Sequence, residues 1–259
     1  MKIFLSLIAV LSFFGLIIFS TQKLADAENS ERVSRAKSKT PVLVELFTSE
    51  GCATCPPVER NLAILQREQS NPEAEIITLA LHVDYWNGLG WTDKYASPFY
   101  SQRQTIYGQK FKIGSIYTPQ MVVDGAKHLV GNKLNEVQKT ITELAKIQKA
   151  NVELTLASEK LKVKISDIPK HEDASVYLAI AENNLTTKIE RGENGGRTLE
   201  HTSVVRQLKP LGRITAQDTG YETESMLELQ SDWKRENIKF VVFLQENQSR
   251  RILGVNSLK

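Results

Sequence analysis

Apolar and polar positions follow two different periods along the chain. In the first part, short runs of β-branched and aliphatic residues at 41–47 and 75–83 are typical of buried strands. Apolar positions at helical spacing follow each run. The pair Asp124 and Gly125 is a strong hairpin-turn signal, and a further helical pattern follows the hairpin. The predicted order of elements is β-α-β-α-β-β-α.

From Asn151 onward, apolar and polar residues alternate with a period of two. Turn-forming residues separate these runs into about seven short strands, one of them at 227–229. The glycine-rich stretch 192–196 is predicted to be a loop. The pattern therefore predicts an α/β domain over 41–150, followed by an all-β, sandwich-like domain over 151–259.

The first 40 residues have a different character. A basic start, an apolar run over 3–19 and a small-x-small site ending at Ala27 are typical of a secretory signal peptide. Retention of residues 1–27 as an N-terminal anchor is the alternative. The polar stretch 28–40 is predicted to be a flexible linker. We therefore expect an exported protein, periplasmic or secreted, whose membrane contact is limited to an uncleaved N-terminal segment.

Composition narrows the class of protein further. The chain has 259 residues, of which 41% are hydrophobic and 24% are charged. These values argue against a largely disordered chain, and the length is sufficient to bury a core without disulfide staples. The 33 basic and 30 acidic residues give a net charge of +3. That balance does not favour a nucleic-acid partner.

The two cysteines lie in one motif, Cys52-Ala-Thr-Cys55, between the first predicted strand and the first predicted helix. A thiol at a helix N-terminus ionises more readily, and the thiolate is the nucleophile in thiol–disulfide exchange. We expect Cys52 to face solvent and attack, and Cys55 to resolve the mixed disulfide. A disulfide that closes so short a loop removes little unfolded-state entropy. A redox role is therefore favoured over a purely structural disulfide.

These motifs and the order of elements resemble the thioredoxin fold. More specifically, the chain is similar to the secreted thioredoxin-like proteins catalogued as domain of unknown function 1223. The resemblance extends over about 41–210 and is carried by residues 44–52 (VELFTSEGC), 55–57 (CPP), 82–86 (HVDYW), 89–91, 103–104, 117–125 (YTPQMVVDG), His201 and 204–206. It implies a central mixed sheet with flanking helices, and it implies no particular substrate.

The resemblance also implies roles for three further residues. Pro119 would follow a cis peptide bond beside the cysteines, so that the Thr118 backbone pairs with an extended substrate. Glu45, seven residues before Cys52, would accept the proton of Cys55. The alternatives are an ordinary trans proline in an edge strand and a hydrogen-bonded strand glutamate.

The irregular stretch 84–97 is rich in aromatic residues, including Trp86 and Trp91. Aromatic side chains are favoured anchors at interfaces, so these two tryptophans are candidates for substrate binding. Packing of the insertion onto the domain is the alternative. In the same region, Asp84 is a candidate to orient the imidazole of His82.

The sequence thus predicts a thiol–disulfide oxidoreductase that acts on exported protein thiols or disulfides, exchanges electrons with a partner protein and needs no cofactor or metal. A partner-binding module with a passive disulfide is one alternative. A copper-delivery protein is another, since two thiolates and an imidazole from His82 or His128 suit a soft ion. His201 and Arg206 have no assigned chemistry beyond packing or a domain interface.

Overall fold

A computed structural model describes residues 39–259. The predicted signal or anchor segment 1–27 lies outside the described residues, as does the predicted linker up to residue 38. In the part of the chain that is described, no helix is long and apolar enough to cross a membrane.

The first part of the described chain forms the predicted order of strands and helices. Its elements are β1 (Thr40–Thr48), α1 (Pro56–Glu68), β2 (Ala74–His82), α2 (Pro98–Lys110), β3 (Gln120–Val123), β4 (Lys127–Leu129) and α3 (Leu134–Leu144). Local chemistry fixes the start of α2, where the Ser97 hydroxyl accepts a hydrogen bond from the backbone of Phe99 at 3.3 Å. Proline occupies the first turn of both α1 and α2. The backbone amides there have no acceptor within the helix, so the missing N–H of proline costs nothing.

Strands dominate the remainder. They are β5 (Asn151–Ala157), β6 (Lys160–Ser166), β7 (Ala174–Glu182), β8 (Leu185–Lys188), β9 (Thr198–His201), β10 (Val204–Ile214), β11 (Tyr221–Met226), β12 (Ile238–Glu246) and β13 (Ile252–Leu258), with a short 3-10 helix at Arg235–Asn237. The stretch 227–229, predicted to be a strand, lies after the end of β11 and is irregular. The alternation did not predict β8, β9, β10 or β11. In β10, Pro210 and Gly212 interrupt the alternation, and the pairing with β7 shifts register twice.

One mixed sheet runs through both parts of the chain, in the order β13-β12-β7-β10-β2-β1-β3-β4. β10 joins the two parts, because it pairs in parallel with β2 at Val204 and Ala80 and antiparallel with β7. The prediction of a separate all-β domain after residue 150 therefore differs from the structure. Lys39–Lys259 form one compact unit, and the protein is a sheet-rich α/β protein.

Two sheets do pack face to face, as in a sandwich, but one of them is the central eight-stranded sheet. The three-stranded sheet β11-β6-β5 packs over β7 and β12. Leu161 and Val163 of the small sheet share a buried cluster with Leu178 and Val242 of the large one. Period-two alternation correctly predicted half-buried strands, but it carried no information about which sheet would receive them.

The two faces of β1 belong to different cores. Val44 and Leu46 pack with α1 and α3, whereas Leu43 and Phe47 pack with α2 and the C-terminal strands. Side chains on alternate residues of a strand point to opposite faces. The side chains of β1 are consequently divided between the face of the sheet that α1 covers and the face that α2 covers.

The buried side chain of Lys239 connects β12 to α1 and β2 through hydrogen bonds. The Lys239 ammonium donates hydrogen bonds to Gln66 Oε1 at 3.1 Å, to the Thr78 carbonyl at 3.0 Å and to Ser203 Oγ at 3.0 Å. These three acceptors are neutral. Burial therefore dominates and lowers the pKa of Lys239 to about 7.

We expect the free energy of unfolding to contain a term from Lys239 that rises between pH 7 and about pH 10. In this window the unfolded chain keeps the lysine proton that the folded protein has lost, so raising the pH favours folding by up to about 1.4 kcal/mol per pH unit. Urea denaturation of the protein and of Lys239→Met across this range measures the difference, in which other titrating groups cancel. Parallel pH profiles of the two proteins would contradict the expectation.

Candidate functional site

The two cysteines form a disulfide where β1 passes into α1, as predicted. Their Cα atoms are 5.4 Å apart, and the Cys55 amide donates to the Cys52 carbonyl at 3.2 Å. The Cys55 carbonyl accepts the amides of Val58 and Glu59 at the start of α1. Local sequence determines this arrangement, because Pro56 and the turn before Cys52 start the helix directly after the motif.

Cys52 is buried, with 1% of its surface exposed, which differs from the predicted solvent-facing thiol. A segment between β8 and β9, residues 189–197, lies against the motif, and we call it the covering loop. Asn194 Nδ2 donates to the carbonyls of Glu50 and Cys52 at 2.8 and 3.0 Å. Glu193 accepts a hydrogen bond from the Ala53 amide at 3.1 Å. The loop reaches the cysteines from about 140 residues away in sequence, which no local pattern reveals.

Trp86 connects Thr118 to the turn that precedes Cys52. The Trp86 indole donates to Thr118 Oγ1 at 2.8 Å, and the peptide bond between Thr118 and Pro119 is cis, as the resemblance implied. Gly51 packs against the same tryptophan, since a Cβ there would lie 3.3 Å from Trp86 Cβ. Trp86 is therefore adjacent to the disulfide turn, and Thr118, followed by Pro119, reaches that turn through the Trp86 indole.

Trp91 is engaged inside the protein. Its indole donates to Glu50 Oε2 at 2.7 Å, and its Cβ lies against the backbone of Gly192 in the covering loop. Of the two alternatives for this tryptophan, these contacts favour packing of the insertion.

Glu45 lies on the opposite face of β1 from the cysteine helix. Its carboxylate binds Arg103 of α2 through two hydrogen bonds of 2.7 and 3.0 Å, and it accepts the Tyr107 hydroxyl at 2.6 Å. The expected transfer of a proton from Cys55 to Glu45 thus has no support in this geometry. The physical reason is the alternation of side chains along β1, which turns odd-numbered residues away from α1.

The histidines proposed as copper ligands have separate partners. His82 Nδ1 lies 2.7 Å from Asp93 Oδ2, so Asp93 orients this ring. Asp84, the predicted orienting group, instead hydrogen-bonds Ser101. His128 lies 3.1 Å from the Tyr117 hydroxyl, near the hairpin.

A buried cluster of histidines and carboxylates lies on the α1 face, and we call it the His–Glu cluster: His82, Asp93, Glu50, Glu59 and His201. His201 Nδ1 is 2.6 Å from Glu59 Oε2, and its Nε2 is 3.2 Å from Glu50 Oε1. The rings of His82 and His201 meet edge to face with centroids 5.2 Å apart. The Glu50 amide donates to Asp93 at 2.9 Å, which connects the cysteine turn to the cluster.

Burial and charge act against each other in the His–Glu cluster. Burial alone would lower the pKa of His201, but its hydrogen bonds and charge attraction to Glu50 and Glu59 raise it to about 10. Burial would likewise lower the pKa of His82, yet the Asp93 carboxylate raises it. Burial would raise the pKa of Glu59 and of Asp93, and the neighbouring imidazoles lower both.

Arg206 lies behind this cluster. Its guanidinium is 2.7 Å from Glu182 and is placed over the ring of Tyr95 at 5.4 Å. Tyr95 in turn meets the rings of His82 and His201 edge to face. Arg206 therefore supports packing behind the histidines, in line with the structural role expected for it.

Sequence reasoning missed Glu50, Glu59, Asp93 and Asn194 as site residues. Glu50 and Glu59 flank the cysteines within one turn of helix or loop, so proximity in sequence was an available signal. Asp93 and Asn194 carried none, because their partners are distant in sequence.

Fold and site together define a sheet-rich α/β protein with a Cys-x-x-Cys disulfide at a helix start. The chain belongs to the family described as protein of unknown function DUF1223, whose model matches residues 43–245. The crystal structure of protein AGR_C_4864 from Agrobacterium tumefaciens is similar, with a TM-score of 0.70 and 24% identity, over 86% of this chain and 95% of that one. This likeness shows the fold alone.

A domain of the outer membrane lipoprotein Omp28 from Porphyromonas gingivalis is only weakly similar. Its TM-score is 0.24 at 15% identity, over 44% of this chain and 88% of that one. Comparison with curated proteins gives no match.

Proposed function

We propose that this protein is an exported thiol–disulfide oxidoreductase with a thioredoxin-like arrangement around Cys52 and Cys55. The observation that carries the proposal is the disulfide placed at the N-terminus of α1, directly after a buried strand. A helix start stabilises a thiolate through its backbone amides and its dipole, which is the requirement for exchange chemistry. The order β1-α1-β2-α2-β3-β4-α3 and the cis bond between Thr118 and Pro119, connected to the cysteine turn through Trp86, support the thioredoxin-like part.

Export is part of the same proposal. The segment 1–27 acts as a signal peptide or anchor and delivers the protein to the periplasm or the exterior, where disulfides persist. Its substrates there are exported proteins with thiols or disulfides, and a redox partner protein restores its own oxidation state.

The exchange proceeds in two balanced steps. In the reducing direction, the Cys52 thiolate attacks a sulfur of a substrate disulfide, forms a mixed disulfide and expels one substrate thiolate. The Cys55 thiolate then attacks Cys52 Sγ, which re-forms the internal disulfide and releases the second substrate thiol. The substrate gains the two electrons that the cysteine pair loses, and the partner protein returns them. Substrate oxidation is the same sequence in reverse.

Access to Cys52 requires the covering loop to move. Exchange needs an approach to Sγ, whereas Cys52 is 1% exposed and its backbone carbonyl is held by the Asn194 side chain of the covering loop. Ala53 and Thr54 between the cysteines are exposed, so substrate meets the motif at these residues before the loop opens. The covering loop thus controls the rate at which the disulfide reacts.

Replacing Asn194 with alanine is expected to speed reduction of the disulfide by about 10- to 100-fold, because two hydrogen bonds that hold the loop closed are lost. Quenched thiol trapping during reduction with dithiothreitol measures the rate. Asn151→Ala removes an exposed asparagine on β5 and serves as the matched control. If Asn194→Ala and Asn151→Ala are reduced at the same rate, opening of the loop does not limit access.

A redox titration tests the function. Samples are equilibrated in glutathione or dithiothreitol buffers, and the state of Cys52 and Cys55 is read by thiol trapping. We expect a midpoint between about −120 and −270 mV, the range of working oxidoreductases. A midpoint below about −300 mV would identify a structural disulfide and overturn the proposal.

The burial of Cys52 favours a second candidate, a partner-binding module whose disulfide is passive. In that case the disulfide only fixes the start of α1, and binding of a partner survives the loss of both cysteines. The low midpoint that would overturn the first proposal is the result that supports this one.

A further inference from the structure

We propose that Glu59, His82 and His201 form a binding site for a divalent transition-metal ion such as Zn²⁺. One ligand-type atom of each residue lies within 4.8 Å of the other two, and all three residues are buried. Two imidazoles and one carboxylate are a ligand set that suits zinc and neighbouring divalent ions. The site is separate from the redox proposal, because it contains neither cysteine.

Both histidines are already oriented as metal ligands are. A histidine that binds a metal through one ring nitrogen commonly gives its other N–H to a carboxylate. Here Asp93 holds His82 Nδ1 at 2.7 Å, which leaves Nε2 as the nitrogen available to a metal. Glu50 holds His201 Nε2 at 3.2 Å, and His201 Nδ1 shares a hydrogen bond of 2.6 Å with Glu59 Oε2. A metal ion would replace the proton between Nδ1 and Oε2, and the two atoms would then both become ligands, with Glu50 still holding the other nitrogen of His201.

An unpartnered atom points to a missing ligand. His82 is fully buried, and within residues 39–259 its Nε2 has no hydrogen-bond partner. A buried polar atom without a partner costs about 1–3 kcal/mol, so such atoms are rare in folded proteins. A metal ion bound by Glu59 and His201 would also satisfy His82 Nε2.

The charge around the centre favours a cation. Three buried carboxylates, Glu50, Glu59 and Asp93, surround the two imidazoles. Buried charges are stable when they are paired or coordinate a metal. Thr48 also donates to Glu59 Oε1 at 2.6 Å, which fixes the carboxylate and leaves Oε2 facing His201.

The centre borders a cavity at the protein surface. Glu59 and His201 contribute to the wall of a cavity of about 670 Å³ that also includes Arg60 and Gln66. Three protein ligands leave a coordination position for water or a ligand group, as in catalytic rather than structural zinc sites.

Metal binding by the purified, untagged full chain tests the proposal. The protein is treated with chelator, its disulfide is confirmed intact by thiol trapping, and Zn²⁺ is titrated by calorimetry. We expect one Zn²⁺ per chain, and Co²⁺ is expected to give the visible absorption of a nitrogen- and oxygen-ligated ion. His82→Gln and His201→Gln are expected to weaken binding by at least about 100-fold, and Asp93→Asn by about 10- to 100-fold.

The chain offers matched controls, because it has four histidines and only two lie in the cluster. His128→Gln and His171→Gln are expected to bind Zn²⁺ as the unaltered protein does. No stoichiometric binding by the unaltered protein would overturn the proposal, whatever the folding of the variants. So would undiminished binding by His82→Gln and His201→Gln, or binding that depends on Cys52 and Cys55. The redox midpoint is measured separately and is unaffected by these outcomes.

Discussion

Cys52→Ser is expected to lower thiol–disulfide exchange activity by at least about 1,000-fold, because the attacking group is a thiolate and a serine hydroxyl cannot form a mixed disulfide. The effect is the largest we expect at the site. The assay follows dithiothreitol-driven reduction of a protein disulfide and trapping of mixed disulfides on a gel.

Cys55→Ser separates the two thiols by role. Its Cys52 can still attack a substrate, but no resolving thiol remains at the start of α1. We therefore expect this variant to accumulate mixed disulfides with substrate, whereas Cys52→Ser accumulates none. Both variants lack the internal disulfide, so a difference between them reports chemistry rather than the loss of the crosslink. Equal activity in Cys52→Ser and the unaltered protein would leave the passive-disulfide candidate in place.

Glu45→Leu is expected to destabilise the protein by about 3–5 kcal/mol, because it leaves the Arg103 guanidinium buried without its carboxylate. Glu45 and Arg103 are 1% and 5% exposed, so water does not replace the lost partner. The guanidinium also lies over the rings of Tyr107 and Phe243, which raises the cost of moving it to solvent. Urea denaturation measures the free energy of unfolding.

The double variant Glu45→Leu, Arg103→Leu tests why Glu45→Leu lowers the free energy of unfolding. Removing both charges is expected to restore much of the stability, since replacing a buried ion pair with apolar residues is often close to neutral. Glu143→Leu breaks the exposed pair with Lys127 and is expected to leave the free energy of unfolding nearly unchanged. A small effect of Glu45→Leu alone would show that Arg103 finds another partner.

The order of elements up to α3 was predictable because its signals are local. Apolar runs marked β1 and β2, Ser97 and Pro98 marked the start of α2, and Asp124 with Gly125 marked the hairpin. The Cys-x-x-Cys motif was equally local, since its disulfide closes over two intervening residues. Signals of this kind lie within one element or one turn, where chain geometry alone determines the outcome.

Other features depended on contacts between distant parts of the chain. Alternation predicted strands after Asn151, but only pairing of β10 with β2 shows that they continue the central sheet. Glu45 is a conspicuous charge in an apolar strand, yet its role followed from the face of β1 it occupies and from Arg103 on α2.

The sequence by itself therefore determined β1 to β4, the three helices of the first part and the position of the Cys-x-x-Cys motif, because backbone preference and hydrophobic period act over a few residues. The tertiary structure alone decided that Asn194 binds the Cys52 carbonyl and that His201 meets Glu59, contacts that each span 142 residues. Such contacts arise when separately formed elements pack, and the free energy that selects them comes from burial and hydrogen bonding across the whole fold. These contacts depend on many residues acting together, so no pattern within one stretch of the sequence reveals them. The surroundings of the disulfide are therefore known only from the folded structure.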